Sequence, residues 1–249
     1  MITLLSRILT YLNGTLFNDD YYRFCLFVIE NYTQMDSMTL DKVIGKSRVK
    51  KGDILAFCRL LGFDSYESFN EYLMQTHSMR MDQIRARMID VNSDTFMDMM
   101  GGVYSKEELK DKISMICKMI FEADRIVLFG AQYPMAISVE MQTDFISLGK
   151  PSIQYHSFIP MQLTKKDVAI VVSGTGRYIQ DFNREKEHVH LERAQSILIT
   201  QNKIYADSSM SLAKHTILIP GKYDGINFNY QLMMIFDLLR IHYYQQYYL

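Results

Sequence analysis

The sequence predicts an α/β protein in two parts: an N-terminal all-α helix-turn-helix domain and a C-terminal doubly wound α/β domain built on a parallel sheet. Three observations predict it. Up to about residue 122 the apolar residues recur at helical spacing. From Ile126 onward they gather into short continuous runs separated by helix-sized segments, as strands buried on both faces do. Near residue 50, two short amphipathic segments about four residues apart and rich in Lys and Arg have helix-turn-helix spacing.

In chain order, Tyr21, Phe24, Phe27 and Val28 form one helical stripe, and Leu40, Val43 and Ile44 a second over residues 40–45. Ile54, Phe57, Cys58 and Leu61 form a third over residues 50–61, followed by Gly62, where a left-handed residue ends many helices. A further helix fits 66–75 through Phe69 and Leu73. The Met- and Asp-rich stretch 81–102, ending in Gly101-Gly102, reads as a linker. The expected division is thus 1–78 helical, 79–104 linker helix or linker, and 105–249 α/β. Ser105-Lys106-Glu107-Glu108 is a capping-box pattern that opens a helix with Leu109, Ile113, Ile116 and Ile120 on one face. Strands are expected at 126–129, 168–172, 197–199 and 217–219, with crossover helices at 136–148 and 178–193 and a long helix at 226–248.

Over 249 residues the net charge is −1, which excludes a uniformly basic nucleic-acid binder but leaves room for a local basic patch. Cys25, Cys58 and Cys117 have no paired spacing and read as small buried hydrophobes, consistent with a reducing compartment. No apolar run reaches the length of a membrane span, and the first residues lack the pattern of a signal peptide. The expectation is a soluble cytoplasmic protein.

Two clusters carry chemistry. Lys46, Ser47, Arg48, Lys50, Lys51 and Arg59, with Lys42, crowd the helix-turn-helix segment against Asp41 and Asp53, and are the candidate DNA contacts. In the second half, the turn Ser173-Gly174-Thr175-Gly176 follows a strand and leads into a helix. Its hydroxyls can donate to phosphate oxygens, its glycines let backbone N–H groups approach closely, and the helix dipole favours negative charge. Ligands of doubly wound sheets bind at the carboxyl ends of the strands, beside a switch point in strand order.

Phe57-Cys58-Arg59-Leu60-Leu61-Gly62-Phe63 resembles the "R-F-C-x-x-L-G-F" end of the recognition helix in RpiR-type transcriptional regulators, and residues 65–73 resemble the helix that follows it there. Where that family usually has Ser, Thr and Arg, this chain has Lys50, Asp53 and Ala56. Ala56 in place of a base-reading Arg forfeits about 1–3 kcal/mol of discrimination. Residues 167–178 resemble the "D-V-x-I-x-I-S-x-S-G-x-T" signature of the sugar isomerase (SIS) domain, with Ser173, Thr175 and Gly176 matching and Tyr178 replacing the last Thr. The family's "G-x-G-x-S" loop becomes Gly130-Ala131-Gln132-Tyr133-Pro134, which loses a glycine and a hydroxyl; the resemblance implies that Gly130, Gln132 and Tyr133 form the opposite wall of the ligand site.

The resemblance implies a regulator of carbohydrate metabolism that binds an operator as a homodimer or tetramer and senses a sugar phosphate or related anion. It implies no cofactor, metal, membrane or catalytic residue. His188 and His190, read on a helix, point apart and are set among cations. Two alternatives stay open. One is a sugar-phosphate isomerase with Glu140 or His156 as general base. The other is a relative that binds neither DNA nor phosphosugar.

Overall fold

The computed structural model describes residues 3–99, 103–130, 133–159, 161–180, 182, 186–206, 211–221 and 225–249. The chain divides into two compact units. The first holds Met1–Ala86 with Thr143–Pro151 and His156–Ile159; the second holds Arg87–Gln142, Ser152–Tyr155 and Pro160–Leu249.

The first unit is helical: α1 (Leu4–Gly14), α2 (Asp20–Glu30), a 3-10 segment (Tyr32–Ser37), α3 (Leu40–Ser47), α4 (Lys51–Leu60) and α5 (Tyr66–Met88). Polar side chains start three of these helices. Thr3 accepts from Ser6 N–H, Asp19 from Tyr22 N–H and Thr39 from Lys42 N–H, each satisfying a donor that the first turn leaves orphaned. Phe24 forms the centre of the core, with ring centroids 5.6 Å from Phe57 and 5.8 Å from Phe69. Two features differ from the sequence reading. Helix α1 was not anticipated, although Leu4, Leu5, Ile8, Leu9 and Leu12 line its buried face. The helix expected over 66–75 continues to Met88, because residues 76–88 contain no Gly or Pro and bury Ile84 and Met88. The helix passes residue 78 without a break, so the expected linker begins inside α5.

The second unit begins with α6 (Asp94–Met99) and α7 (Lys106–Glu122). The capping box at Ser105 and Glu108 is formed in both directions. Among the described residues five strands follow: β1 (Arg125–Phe129), β2 (Ser152–Gln154), β3 (Asp167–Val172), β4 (Gln195–Thr200) and β5 (His215–Leu218). All neighbours pair in parallel in the order β2-β1-β3-β4-β5. Val127, Leu128, Ala169, Ile170 and Leu198 are wholly buried, as strands covered on both faces require. Helix α8 (Tyr133–Ser147) follows β1, and α10 (Gly225–Tyr247) closes the chain and packs on α7.

The expected crossover helix 178–193 is corrected. Its described parts are α9 (Arg177–Gln180), helical residues at 182 and 186, and two 3-10 turns, Glu187–Val189 and Leu191–Arg193. His190, at φ +58°, adopts the left-handed conformation that no helix interior accepts. His188 and His190 therefore sit in turns: His188 Nε2 lies 3.3 Å from the Tyr155 hydroxyl and His190 Nδ1 lies 3.1 Å from Glu192. Among the described residues, no helix is long and apolar enough to cross a membrane.

Candidate functional site

The strand order places a switch point between β1 and β3, since the chain leaves β1 towards β2 on one side and returns to β3 on the other. Register pairs Phe129 with Val171, so the segments after β1 and β3 leave the sheet side by side. Gly130 stands at that point. A Cβ there would lie 3.3 Å from the Val172 carbonyl oxygen and 2.9 Å from Met135 Sδ, so the two strand ends come close and leave little room for a side chain at this position.

The turn after β3 is fixed from its far side by the last residues of β4 and those that follow it. Ser173 N–H donates to Ile199 O (3.0 Å), and Gly176 N–H donates to Ser173 O (3.1 Å). The carbonyls face β4: Gly174 O accepts from Gln201 N–H (3.0 Å) and the Thr200 hydroxyl (3.1 Å), and Thr175 O accepts from Asn202 Nδ2 (2.9 Å). The N–H groups of Gly174 and Thr175 have no acceptor among the described residues. Ser173 is buried and its Oγ accepts from Tyr178 N–H (3.1 Å), leaving the hydroxyl proton to donate. Thr175 is exposed. Gly176 has φ +82°, and a Cβ on it would lie 2.2 Å from Tyr205 Cε2. The Phe228 ring lies against the open face of Gly174, where a Cβ would meet it at 3.6 Å.

The structure thus brings together Gly130, Ser173, Gly174, Thr175 and Gly176. Gln132 lies outside the described residues, and Tyr133 is described only as the first residue of α8. Thr200, Asn202, Tyr205 and Phe228 were missed. The only sequence signal was two polar residues, Thr200 and Asn202, at the end of a strand. The proposed general bases lie apart from the turn's own contacts. Glu140 faces Arg240 (3.2 Å) and Arg87 (3.5 Å), and His156 stacks on Phe158 within the first unit. Two cavities lined by described residues lie elsewhere. One of 290 Å³ is at the amino ends of the strands by Ala123, Lys165 and Gln195, and one of 450 Å³ is beside Met38, Tyr66 and Asn70.

In the first unit, α3 and α4 are joined by Arg48, Val49 and Lys50. Arg48, at φ +59°, closes α3 with its N–H on Ile44 O (3.1 Å), and Val49 is buried beneath the turn. The Ser47 hydroxyl accepts from Val49 N–H (3.2 Å), so its role is to shape the turn. Lys46, Arg48, Lys50, Lys51 and Arg59 are exposed, and none has an acidic partner within salt-bridge distance among the described residues. Ile54, Phe57 and Cys58 form the buried face of α4.

No family model matches the sequence, and no curated protein matches it. Solved structures do. A hypothetical protein from Methanococcus jannaschii, whose structure is described as inferring a molecular function of 3-hexulose-6-phosphate isomerase, aligns with a TM-score of 0.50 at 20% identity, over 63% of this chain and 89% of its own. The NanR protein of Vibrio vulnificus complexed with ManNAc-6P aligns over 98% of this chain and 93% of its own, with a TM-score of 0.46 and 14% identity. Another hypothetical protein aligns over 70% of this chain and 91% of its own, with a TM-score of 0.47 and 18% identity. At 20% identity, the likeness to the Methanococcus protein shows a shared fold and no more.

Proposed function

We propose that this protein is a DNA-binding transcriptional regulator of the RpiR type, whose second unit is a SIS-like domain that takes a phosphorylated sugar or related anion. The observation that carries the reading is the set of five exposed cations around the α3–α4 turn without acidic partners among the described residues. Unpaired lysines and arginines on a helix-turn-helix neutralise phosphates and release their counterions, the main source of DNA affinity. At the switch point of the second unit, the turn offers two N–H groups and the Ser173 hydroxyl, a donor set suited to phosphate oxygens. An anion bound differently in two states of a homodimer or tetramer shifts the population able to hold two operator half-sites.

Fluorescence anisotropy with the duplex upstream of the protein's own gene tests the DNA arm. Affinity is expected to fall by about 10³-fold between about 50 and 200 mM salt for some six phosphate contacts. Absence of any salt-sensitive binding sinks the reading. Thermal-shift measurements across sugar phosphates test the other arm, with stabilisation growing as the logarithm of ligand concentration.

The fold shared with the Methanococcus protein favours a second reading, a sugar-phosphate isomerase. Among the described residues, the side chains bonded to the turn are Thr200, Asn202 and Tyr205, none of them a general base, and Glu140 is ion-paired with Arg240. Turnover of a ketose–aldose phosphate pair would establish this reading instead.

A further inference from the structure

The outward face of α4 is composed differently from a face that reads bases by hydrogen bonds. Lys51, Gly52, Arg59 and Leu60 are exposed, and Leu55 and Ala56 are half-exposed between them. These residues recur at i, i+1, i+4, i+5, i+8 and i+9, a single stripe opposite Ile54, Phe57 and Cys58. The middle of the stripe is methyl and methylene groups, and its ends carry cations. Gly52 lies in the first turn of α4, where a Cβ would meet nothing within 4 Å. Packing therefore does not call for a residue that helices disfavour. Its effect is to let an outside surface come close to the helix backbone.

The exposed cations at Lys46, Arg48, Lys50, Lys51 and Arg59 argue for a polyanion as the occupant of this stripe. In the major groove of DNA the apolar feature on a base edge is the C5-methyl of thymine, the partner of apolar side-chain contacts. On the DNA-binding reading above, on which this rests, we infer that α4 reads thymine methyl groups through Leu55 and Ala56, so that the preferred target is A·T-rich duplex. Asp53, half-buried on the shoulder of the stripe, is the one carboxylate in α4. Its acceptor oxygens suit a cytosine amine, which makes G·C-rich duplex the contrast to test.

The test uses the full-length protein and three alternating duplex copolymers at one ionic strength: poly(dA-dT), poly(dA-dU), which differs by the absence of the thymine methyl, and poly(dG-dC). Poly(dA-dT) is expected to bind tightest, with a loss on poly(dA-dU) of about fourfold for each methyl contacted. Leu55→Ala with Ala56→Gly is expected to erase the difference between poly(dA-dT) and poly(dA-dU) while leaving the salt dependence intact. A melting curve checks that this variant folds, and the uracil comparison on the unaltered protein stands without it. Equal affinity for poly(dA-dT) and poly(dA-dU) overturns the methyl readout and leaves DNA binding in place. Tighter binding to poly(dG-dC) overturns it in favour of Asp53. Absence of salt-sensitive binding to all three copolymers overturns the DNA reading itself and leaves the stripe to a protein partner.

Discussion

Gly176 and Gly174 stand two residues apart under different constraints. Gly176 is held at φ +82° with its hydrogen turned towards the Tyr205 ring, whereas Gly174 has an ordinary φ and faces Phe228 at van der Waals distance. Gly176→Ala is expected to destabilise the protein by about 1–3 kcal/mol, from the left-handed backbone and the clash together. Gly174→Ala is expected to leave stability nearly unchanged. Urea titration of the two variants checks both, and equal losses would contradict this difference between the two positions. The three cysteines match their reading as buried hydrophobes, and burial pushes the Cys58 thiol up to about 12, which removes it from thiolate chemistry. The alternation of hydroxyls and glycines made the turn legible in the sequence. Its clamp was not legible, because Thr200, Asn202 and Tyr205 reach it through space from the end of the next strand and the residues after it, and contacts of that kind leave no local pattern.

Elements with a cap or a breaker at each end were read closely. The Ser105 box fixed the start of α7, the cation-rich turn separated α3 from α4, and the apolar runs gave β1, β3, β4 and β5. The reading failed where the deciding residue carries no propensity signal. His190 in the left-handed region breaks the expected 178–193 helix, and nothing in a histidine announces it. Helix α8 buries an unusual run of polar side chains. Its residues 141–147 are all buried, among them Gln142, Thr143, Asp144 and Ser147. Within the first unit Arg80 Nε donates to Asp144 (2.8 Å), and His77 Nε2 lies 3.0 Å from the Ser147 carbonyl. Asp144→Ala is expected to cost up to about 3 kcal/mol, because it removes a buried carboxylate that pairs with the partly buried Arg80. Arg80→Met with Asp144→Leu is expected to recover most of that loss, by the same denaturant measurement.

For the whole molecule, pH is a test that both units answer. Burial lowers the pKa of His156 in the first unit. In the second it lowers His215, assisted by Lys112 and Lys214, and His242, assisted by Lys110. Each is neutral when folded and takes up a proton more readily when unfolded, so the unfolded state binds more protons below the ordinary value of about 6.5. Stability is therefore expected to be full above about pH 6.5 and to fall as the pH drops through that value towards the lower folded pKa values. Urea midpoints between about pH 5 and 8 check this, and a flat profile would contradict it. His242→Gln is expected to shallow the slope, since His242 Nε2 lies 3.1 Å from the Ser93 hydroxyl in a buried site.

The discontinuity of the first unit has a consequence for how the protein is made. Its helices α1 to α5 leave the ribosome early, yet Thr143–Pro151 and His156–Ile159 complete it and are synthesised much later, after α7 and β1. Until then Arg80 has no Asp144 and His77 has no Ser147 carbonyl to meet. The nascent N-terminal helices must wait, incompletely covered, for a stretch of chain that also has to build part of the sheet unit. A stalled or truncated chain would release them as a target for proteases and chaperones rather than as a working module.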